Sequence, residues 1–341
     1  MKTEFTKATP QALERAGELI RAGEVVGFPT ETVYGLGADA TNAEAIEKVF
    51  AAKGRPGDNP LIVHISDISQ IGEVIKGEMP ENARKLAKAY WPGPLTMIFE
   101  KGDAITLKAT AGLDSVGVRF PSHKVAQDFI SASKRPIAAP SANISGKPSP
   151  TTAEHVLFDM DGRVPMIIDG GACDVGLEST VVDIRCTPVR VLRPGGVTPQ
   201  MIADVLGEVE VDGSVLRPIR EGETVRSPGM KYKHYAPDGS MVIVKGEPES
   251  VAAKINEMYD ATEGKKCILA LEKNLPLYGS RKVFSLGNDS RDFAHSMFYA
   301  LREMDDEHIT AIFSEAVEAE GIGLAVMNRL GRAAAFHIIE A

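Results

Sequence analysis

The segment KGRPGDNPLIVHI, residues 53–65, carries two cations on a proline-bounded loop that runs directly into an apolar strand. Residues 61–65 read LIVHI between a proline and a serine, a pattern typical of a buried β-strand. Alternation along this strand predicts that Ile62 and His64 face one side and the other three residues the opposite side. His64 is therefore either a hydrogen-bonded core histidine or a polar group that faces a cleft.

Apolar strands of the same kind lie on both sides of this segment. They are predicted at residues 25–26, 95–99, 116–120, 137–139, 166–169, 179–184 and 189–192. Helical spacing of apolar residues predicts helices at 11–21, 43–53, 83–90, 124–133 and 152–158. Because strands outnumber helices and partly follow one another, we expect a mixed α+β sheet rather than a regular alternation of strand and helix.

The chain is expected to contain two domains, because its 341 residues exceed what one hydrophobic core normally holds. From about residue 208 the sequence is poor in apolar runs and rich in Gly and Pro, which indicates a linker. Beyond it, the strand patterns MVIVK, CILAL and VFSL alternate with helical patterns at 250–259, 291–304 and 323–335. We therefore expect a first domain over 1–207, a linker over 208–236 and a small parallel α/β domain over 237–341.

Composition and net charge exclude several classes of protein. With 43% hydrophobic and 25% charged residues, the chain is neither disordered, fibrous nor membrane-embedded as a whole. A net charge of -9 argues against nonspecific wrapping of nucleic acid, although residues 237–341, with 11 basic and 17 acidic residues, account for -6 of it. The first domain can therefore still gather cations around a site. The N-terminus lacks a signal sequence, so we expect a cytoplasmic protein, and the three cysteines lack CxxC spacing, so we expect reduced thiols.

Polar residues in Gly/Pro-rich segments beside the predicted strands are the candidates for a binding site. Taken alone, such a segment can also be explained as a turn or a solvated loop. The segments are PTETVYGLG at 29–37, KGRPGDN at 53–59, SVGVRF at 115–120, PIAAPSANISGKPSPT at 136–151, GLEST at 176–180 and VLRPGGVT at 191–198. The loop from 140 to 151 is dense in hydroxyl and amide groups and could form an anion-binding nest.

The cations of these segments favour a phosphate-rich ligand. Arg55 can bind phosphate through two parallel N–H groups, and Lys53 supplies a compact point charge, a pair suited to a nucleotide triphosphate. Arg119 lies on an otherwise apolar strand and must find an anion there, because an unpaired buried charge is costly. No GxxxxGK[ST] loop, complete GxGxxG fingerprint, HExxH or GxSxG motif occurs, so an ATP site here is of an unconventional kind.

Together, PTETVYGLGADA, KGRPGDNPLIVHI, WPGPLTMI, VGVRFPSH, PIAAPSANISGKPSPT, LESTVVD and VLRPGGVT closely resemble the YrdC-like threonylcarbamoyl-AMP synthase family. SPGMKYKHYAP and the C-terminal α/β domain resemble the family's longer, two-domain form. The resemblance implies an α+β YrdC-like domain on a mixed twisted sheet with a positive concave cleft, and a small Rossmann-like α/β domain. It also implies a nucleotidyltransferase that condenses L-threonine, bicarbonate or CO2, and ATP into threonylcarbamoyl-AMP and pyrophosphate, for threonylcarbamoyladenosine modification of tRNA.

The resemblance also assigns site residues. Lys53 and Arg55 are similar to the family's catalytic cations. The positions that resemble ATP contacts are Lys53, Arg55, Asn59, Ser115, Ser141, Asn143, Ser149, Arg193 and, in the linker, Tyr232. The positions that resemble the threonine pocket are Thr32, His64, Arg119, the backbone at Ala139, and Ser179 or Thr180. Mg²⁺ is expected with the ATP phosphates and without protein ligands, and no organic cofactor is expected.

Other interpretations remain open at this stage. The basic and aromatic linker segment RSPGMKYKHYAP is either a solvated hinge or a lid that brings Tyr232 or Tyr235 against the nucleotide. The small domain lacks a phosphate-binding fingerprint and is expected to support the lid or to recruit a partner. The chain could alternatively be an RNA-binding module that docks tRNA without turnover, or a carbamoyl transferase, although it lacks the zinc-finger cysteines of the latter. Oligomeric state and direct tRNA binding are left open, and no membrane partner is expected.

Overall fold

The computed structural model describes residues 2–217 and 235–341, which form two compact units. The N-terminal unit contains the described residues up to Val215, except Gly146–Pro148. These three residues, together with Leu216, Arg217 and residues 235–341, form the C-terminal unit. The basic linker residues and Tyr232 of the predicted lid lie outside the described residues.

The described strands of the N-terminal unit form one 11-stranded sheet, in the order β1-β8-β2-β3-β7-β4-β6-β5-β9-β10-β11. The sheet contains parallel pairs, such as β4 with β6, and antiparallel pairs, such as β5 with β6, so the predicted mixed sheet is confirmed. The strands are β1 (Glu4–Lys7), β2 (Val26–Phe28), β3 (Gly35–Asp39), β4 (Ile62–His64), β5 (Leu95–Glu100), β6 (Ser115–Arg119), β7 (Ile137–Ala139), β8 (Met166–Asp169), β9 (Thr180–Asp183), β10 (Val189–Arg193) and β11 (Val209–Val211).

Most helices of this unit begin at a residue whose side chain caps the first turn. Thr9, Asn42, Thr152 and Thr198 each accept a hydrogen bond from a backbone N–H two or three residues later, which satisfies donors that the helix itself leaves free. The helices are α1 (Pro10–Arg21), α2 (Ala43–Lys53), α3 (Ile71–Val74), α4 (Glu81–Tyr90), α5 (Lys124–Ser133), α6 (Ala153–Met160) and α7 (Pro199–Leu206).

The two faces of the sheet are covered differently. Helices α2, α4, α6 and α7 contribute to one large apolar cluster on one face, together with the inward residues of the strands, such as Val63 and Val118. On the opposite face, α1 and α5 pack over β2, β7 and β8 in a second cluster around Phe28 and Phe129. The neighbouring part of that face, formed by β4, β5, β6 and β9, carries the candidate site.

Two glycines of β3 have a packing role. A Cβ on Gly35 or Gly37 would come within 2.8–2.9 Å of ring atoms of Phe28, which lies across both positions. The GxG pattern at 35–37 therefore makes room for an aromatic ring instead of approaching a dinucleotide. The ring of Phe28 in turn contacts the edge of His64, with 5.9 Å between ring centroids. The glycines thus allow Phe28 to pack against His64 in the candidate site.

The C-terminal unit contains a fully parallel five-stranded sheet, in the order β14-β13-β15-β12-β16, which confirms the predicted α/β domain. Glu315, at the carboxyl end of β15, is buried and accepts hydrogen bonds from Leu271 N, Asn274 Nδ2 and the Tyr278 hydroxyl. The elements are β12 (Ser240–Lys245), α8 (Pro248–Ala261), β13 (Lys266–Ala270), β14 (Val283–Ser285), α9 (Ser290–Asp306), β15 (Ala311–Glu315), α10 (Gly323–Ala333) and β16 (Ile338–Glu340).

The sequence did not predict β1, β3, α3, α7, β11, β15 or β16. Strand β3 was interpreted as a turn because its glycines break the apolar pattern, and β11, at the start of the predicted linker, pairs with β10 as an edge strand. Strand β15, AIFSE, carries only a three-residue apolar run before its Ser and Glu, and its sequence was not recognised as a strand. In the described part of the chain, no helix is long and apolar enough to cross a membrane.

Candidate active site

Strand register brings the central polar residues of the site together. His64 on β4 and Thr96 on β5 are both the direct neighbours of Arg119 on β6. Because side chains opposite one another in register lie on the same face, His64, Thr96 and Arg119 share one side of the sheet. Ala139 on β7 pairs with Ile62, two residues before His64, and so borders the same area. This arrangement follows from three strands that are distant in sequence.

Arg119 is the centre of this group. Its side chain is 4% exposed, Nη1 donates a hydrogen bond of 2.8 Å to Thr32 Oγ1, and Nε donates a longer one of 3.4 Å to the carbonyl of Gly93. Its Nη2 lies 2.8 Å from Oε2 of Glu31, which is equally buried. The anion that the sequence analysis required for Arg119 is therefore present within the chain as Glu31.

Glu31 remains ionised next to Arg119. Burial by itself would raise the pKa of this carboxyl group, but the charge and proximity of Arg119, aided by backbone N–H groups of Glu31 and Ser122, outweigh burial and lower the pKa. These N–H groups and Arg119 lie close to the carboxylate, but none of them is aligned for a hydrogen bond to either of its oxygens. The site therefore contains a close pair of opposite charges with unused hydrogen-bonding directions.

His64 is neutral in this environment. Burial, and then the positive charge of Arg119, lower the pKa of its imidazole from 6.5 to about 3. Its Nδ1 lies 3.1 Å from the carbonyl oxygen of Ile62, a contact in which the ring N–H donates. At neutral pH, His64 is thus a polar but uncharged neighbour of Arg119.

The low pKa of His64 predicts a pH dependence of stability. Between about pH 6.5 and pH 3 the unfolded chain protonates this histidine and the folded chain does not, so the free energy of unfolding should fall as the pH drops below about 6.5. In urea denaturation at pH 7.0, 6.0 and 5.0, the His64→Asn variant should lose less stability than the wild type over the same range. His123, whose pKa is also lowered, is present in both proteins and cancels. Identical slopes would contradict the assignment.

Ser179 and Thr180 differ in what their hydroxyl groups do. Thr180 Oγ1 donates to the carbonyl of Val197 and accepts from Val197 N, so both roles are used by the turn after β10. Ser179 Oγ lies 2.8 Å from Thr96 Oγ1 and accepts from Arg193 Nη2 at 3.2 Å. Ser179 therefore belongs to the polar chain around Arg119 and Arg193, whereas Thr180 fastens a turn.

Lys53 anchors the loop that follows β7. Its buried ammonium group, at the end of α2, donates to the carbonyl oxygens of Ser141 and Asn143. Ser141 in turn donates its hydroxyl to Oδ1 of Asn143. Lys53 thus places a positive charge on the backbone of this loop, and it fixes the positions of the predicted ATP contacts Ser141 and Asn143.

The remaining predicted ATP residues lie on neighbouring segments. Arg55 donates from Nη2 to the carbonyl of Asn59, and its guanidinium carbon lies 5.9 Å from the centroid of the Phe50 ring. Asn59 is fully buried, and neither side-chain amide atom has a hydrogen-bond partner among the described residues. Ser115, at the start of β6, lines a small, mainly apolar depression with Ile62, Ile98, Gly117, Val181 and other residues of these strands. Asn59 therefore offers polar atoms that a ligand can satisfy.

Sequence reasoning missed the acidic residues of the site. The loop from 140 to 151 contains no acid, but the fold brings Glu178 to Ser149, whose hydroxyl donates to Glu178 Oε1 at 2.6 Å. Asp159 similarly accepts from Ile144 N. Glu31 in PTET and Glu178 in GLEST are sequence neighbours of the predicted site residues Thr32 and Ser179. This proximity in sequence was the feature that could have identified them.

The two tyrosines of the predicted lid are not part of the described N-terminal unit. Tyr235 belongs to the C-terminal unit, where its ring centroid is 5.1 Å from that of Phe298. Tyr232 is not among the described residues. Within residues 2–217 and 235–341, no three His, Cys, Asp or Glu side chains cluster so as to hold a metal ion. Burial raises the pKa of the Cys173 thiol, which makes that cysteine a poor nucleophile.

Comparison with known proteins covers both units. Residues 18–195 match the family described as "Telomere recombination", which groups Sua5, YciO and YrdC proteins, and residues 197–335 match "Threonylcarbamoyl-AMP synthase, C-terminal domain". The threonylcarbamoyl-AMP synthase of Pyrococcus abyssi is 46% identical, over 95% of this chain and 94% of its own length. That of Bacillus subtilis is 45% identical, over 98% of this chain and 96% of its own length.

A solved structure extends the similarity to three dimensions. The crystal structure of Sua5 from P. abyssi in complex with L-threonine superposes with a TM-score of 0.89 at 42% identity, and covers 100% of this chain and 99% of its own. At this identity and coverage, the relative shares the architecture of both units. The arrangement around Arg119, Thr32 and Ser179 therefore occurs in a fold that, in that relative, binds L-threonine.

Proposed function

The chain belongs to the threonylcarbamoyl-AMP synthase family, and we propose that it condenses L-threonine, bicarbonate and ATP into threonylcarbamoyl-AMP with release of pyrophosphate. The observation that carries the proposal is the continuous polar group on one sheet face, in which Arg119, Thr32, Thr96 and Ser179 lie together. A second group, held by Lys53, lies on the loop after β7. The first suits an amino acid and the second a nucleotide.

In the proposed threonine pocket, the carboxylate and the hydroxyl group of the substrate each have a complementary residue. Arg119 has N–H groups that Thr32 and Gly93 do not use, and a guanidinium group binds a carboxylate with two parallel hydrogen bonds. The hydroxyl groups of Thr32 and Ser179 can bond the substrate hydroxyl, and neutral His64 borders the pocket without competing for the carboxylate. A pocket that bonds this hydroxyl discriminates strongly against valine, because its own polar groups would remain unpaired.

The reaction needs positioning more than covalent catalysis. The neutral amine of threonine attacks the carbon of bicarbonate or CO2, and the carbamate forms with loss of water from bicarbonate or, from CO2, with loss of one proton of the amine. A carbamate oxygen then attacks the α-phosphorus of ATP, and the bond to the bridging oxygen of pyrophosphate breaks. Holding the three reactants together accounts for most of the acceleration we expect, with cations offsetting the charge that develops on pyrophosphate.

The proposed ATP site combines the residues of the second group. Ser141, Asn143 and Ser149 supply hydroxyl and amide groups, while positive charge comes from Arg55, beside Asn59, and from Arg193, beside Ser179. We propose that Mg²⁺ enters with the triphosphate, since Mg²⁺ commonly keeps its waters and binds through phosphate oxygens with few carboxylates. Pyrophosphate release should then require Mg²⁺, and excess EDTA should stop it. We further propose that the product passes to a tRNA-modifying component.

A labelled-bicarbonate assay tests this function. With ¹⁴C-bicarbonate, ATP, Mg²⁺ and L-threonine, we expect a labelled adenylate and an equal amount of pyrophosphate, and neither product when any one substrate is omitted. Replacing L-threonine with L-valine serves as the matched control and should abolish both. If the chain binds tRNA in a strongly salt-dependent way but makes no adenylate, it is an RNA-binding module and the proposal is wrong.

Ser179 and Thr180 provide an adjacent pair for a specificity prediction. Ser179→Ala should raise the KM for L-threonine about 10-fold, because it removes a hydroxyl group of the proposed pocket, and should also lower the free energy of unfolding by about 1–3 kcal/mol, because Thr96 and Arg193 lose a buried partner. Thr180→Val should lower the free energy of unfolding by about 1–3 kcal/mol, since it leaves the backbone of Val197 unpaired. Steady-state kinetics and urea denaturation of both variants check this. A larger KM effect in Thr180→Val would reverse the assignment.

A further inference from the structure

Glu31 is a buried carboxylate of the threonine pocket to which the proposed reaction assigns no role so far. It is 4% exposed, and its Oε2 lies 2.8 Å from Nη2 of Arg119. Nevertheless, both of its carboxylate oxygens and that Nη2 lack an aligned hydrogen bond among the described residues. Buried polar atoms without hydrogen bonds are costly, and native proteins retain them mainly where something else satisfies them. A ligand with a well-placed donor would do so here.

The charge arrangement defines what kind of ligand fits. Arg119 can hold a ligand carboxylate, but that carboxylate would then lie close to the negative charge of Glu31. Two like charges at short range in a buried site repel strongly, so a ligand that carries only a carboxylate is disfavoured. An α-amino acid brings a positive ammonium group on the carbon next to its carboxylate. Such a ligand offers an opposite charge to each member of the Glu31–Arg119 pair.

We propose that Glu31 accepts a hydrogen bond from the α-ammonium group of the amino-acid substrate, so that the pocket selects zwitterions over simple carboxylic acids. The inference rests on the proposed function, because L-threonine is the ligand in question. Glu31 binds and orients the nitrogen that later attacks the carbon of bicarbonate. Thr32 and Ser179 then remain available for the substrate hydroxyl. No proton transfer is assigned to Glu31.

Binding calorimetry on the full-length chain without ATP tests the proposal. L-Threonine is compared with (R)-3-hydroxybutyrate, which keeps the carboxylate and the hydroxyl group but lacks the amine. The wild type should prefer threonine by about 100-fold or more, the size of effect seen when a buried charged partner is removed. In Glu31→Gln, this preference should fall to about 10-fold or less, because only the amine-bearing ligand loses an interaction. Glu31→Asp, which keeps the charge, should retain most of the preference.

Glu315→Gln is the matched control. Glu315 is an equally buried glutamate in the C-terminal unit, and its replacement should leave the preference of the wild type unchanged. If Glu31→Gln weakens both ligands by the same factor, Glu31 only positions Arg119 and the inference is wrong. Should Glu31→Gln fail to fold, the wild type still decides: equal affinity for the two ligands overturns the inference. A wild type that binds threonine with this preference but makes no adenylate refutes only the proposed function.

Discussion

Replacing Arg119 with alanine is expected to raise the KM for L-threonine by about 100-fold or more, while the KM for ATP changes by less than about threefold. Arg119 is the buried cation of the proposed threonine pocket, and its removal also leaves Glu31 as an unpaired buried charge. Removing one member of such a pair typically costs about 3–5 kcal/mol, of which part will appear as lost stability and part as lost binding. Measuring both KM values and the free energy of unfolding separates the two.

Arg84→Ala provides the control for this experiment. Arg84 is half-exposed, pairs with Glu78 on the surface and lies outside the predicted site, so both KM values should stay close to those of the wild type. If Arg119→Ala raised both KM values equally, the division of the site into a threonine part and an ATP part would be incorrect. If it lowered stability without changing either KM, Arg119 would be a structural residue.

The sequence allowed the strands of the site to be predicted but not all of their neighbours. Residues 61–65 and 116–120 were recognised because continuous apolar runs mark buried strands. Their adjacency depends on long-range pairing, which local patterns do not encode. Thus Arg119 was correctly expected to need an anion, yet neither Thr96, which lies across from it in register, nor Glu31 could be assigned as its neighbour.

Because local sequence does not encode long-range contacts, the roles of the neighbouring Ser179 and Thr180 hydroxyl groups could not be distinguished either. Ser179 and Thr180 are adjacent in GLEST, and either fits a polar pocket. The decisive fact is the close approach of the turn after β10, where a Cβ on Gly195 would lie 2.4 Å from Thr180 N. That contact brings Val197 to the Thr180 hydroxyl and leaves Ser179 toward Thr96. Only the folded structure shows that the Thr180 hydroxyl bonds the backbone of a turn, whereas the Ser179 hydroxyl bonds side chains of the candidate site.

Lys53 illustrates how a role can be shared between structure and catalysis. The resemblance implied a direct contact with ATP, and the structure places its ammonium group on two loop carbonyls. These descriptions are compatible, because a lysine that fixes the loop also brings a positive charge beneath the predicted phosphate contacts. Lys53 therefore holds Ser141 and Asn143 in place, and in the proposed reaction its charge would offset the charge that develops on pyrophosphate.

Replacing Lys53 with methionine is accordingly expected to lower kcat by about 100- to 1000-fold while L-threonine binding, measured by calorimetry without ATP, is retained. Loss of one preorganised charge at a reacting phosphate has an effect of this size. The variant should also unfold about 1–3 kcal/mol more easily, because two buried carbonyl groups lose their donor. Lys48→Met, on the exposed side of the same helix, is the control and should behave like the wild type. Since the Lys53 ammonium lies on the loop of Ser141 and Asn143 and not in the threonine pocket, equal losses of threonine binding and turnover in Lys53→Met would show that the two parts of the site are not separable.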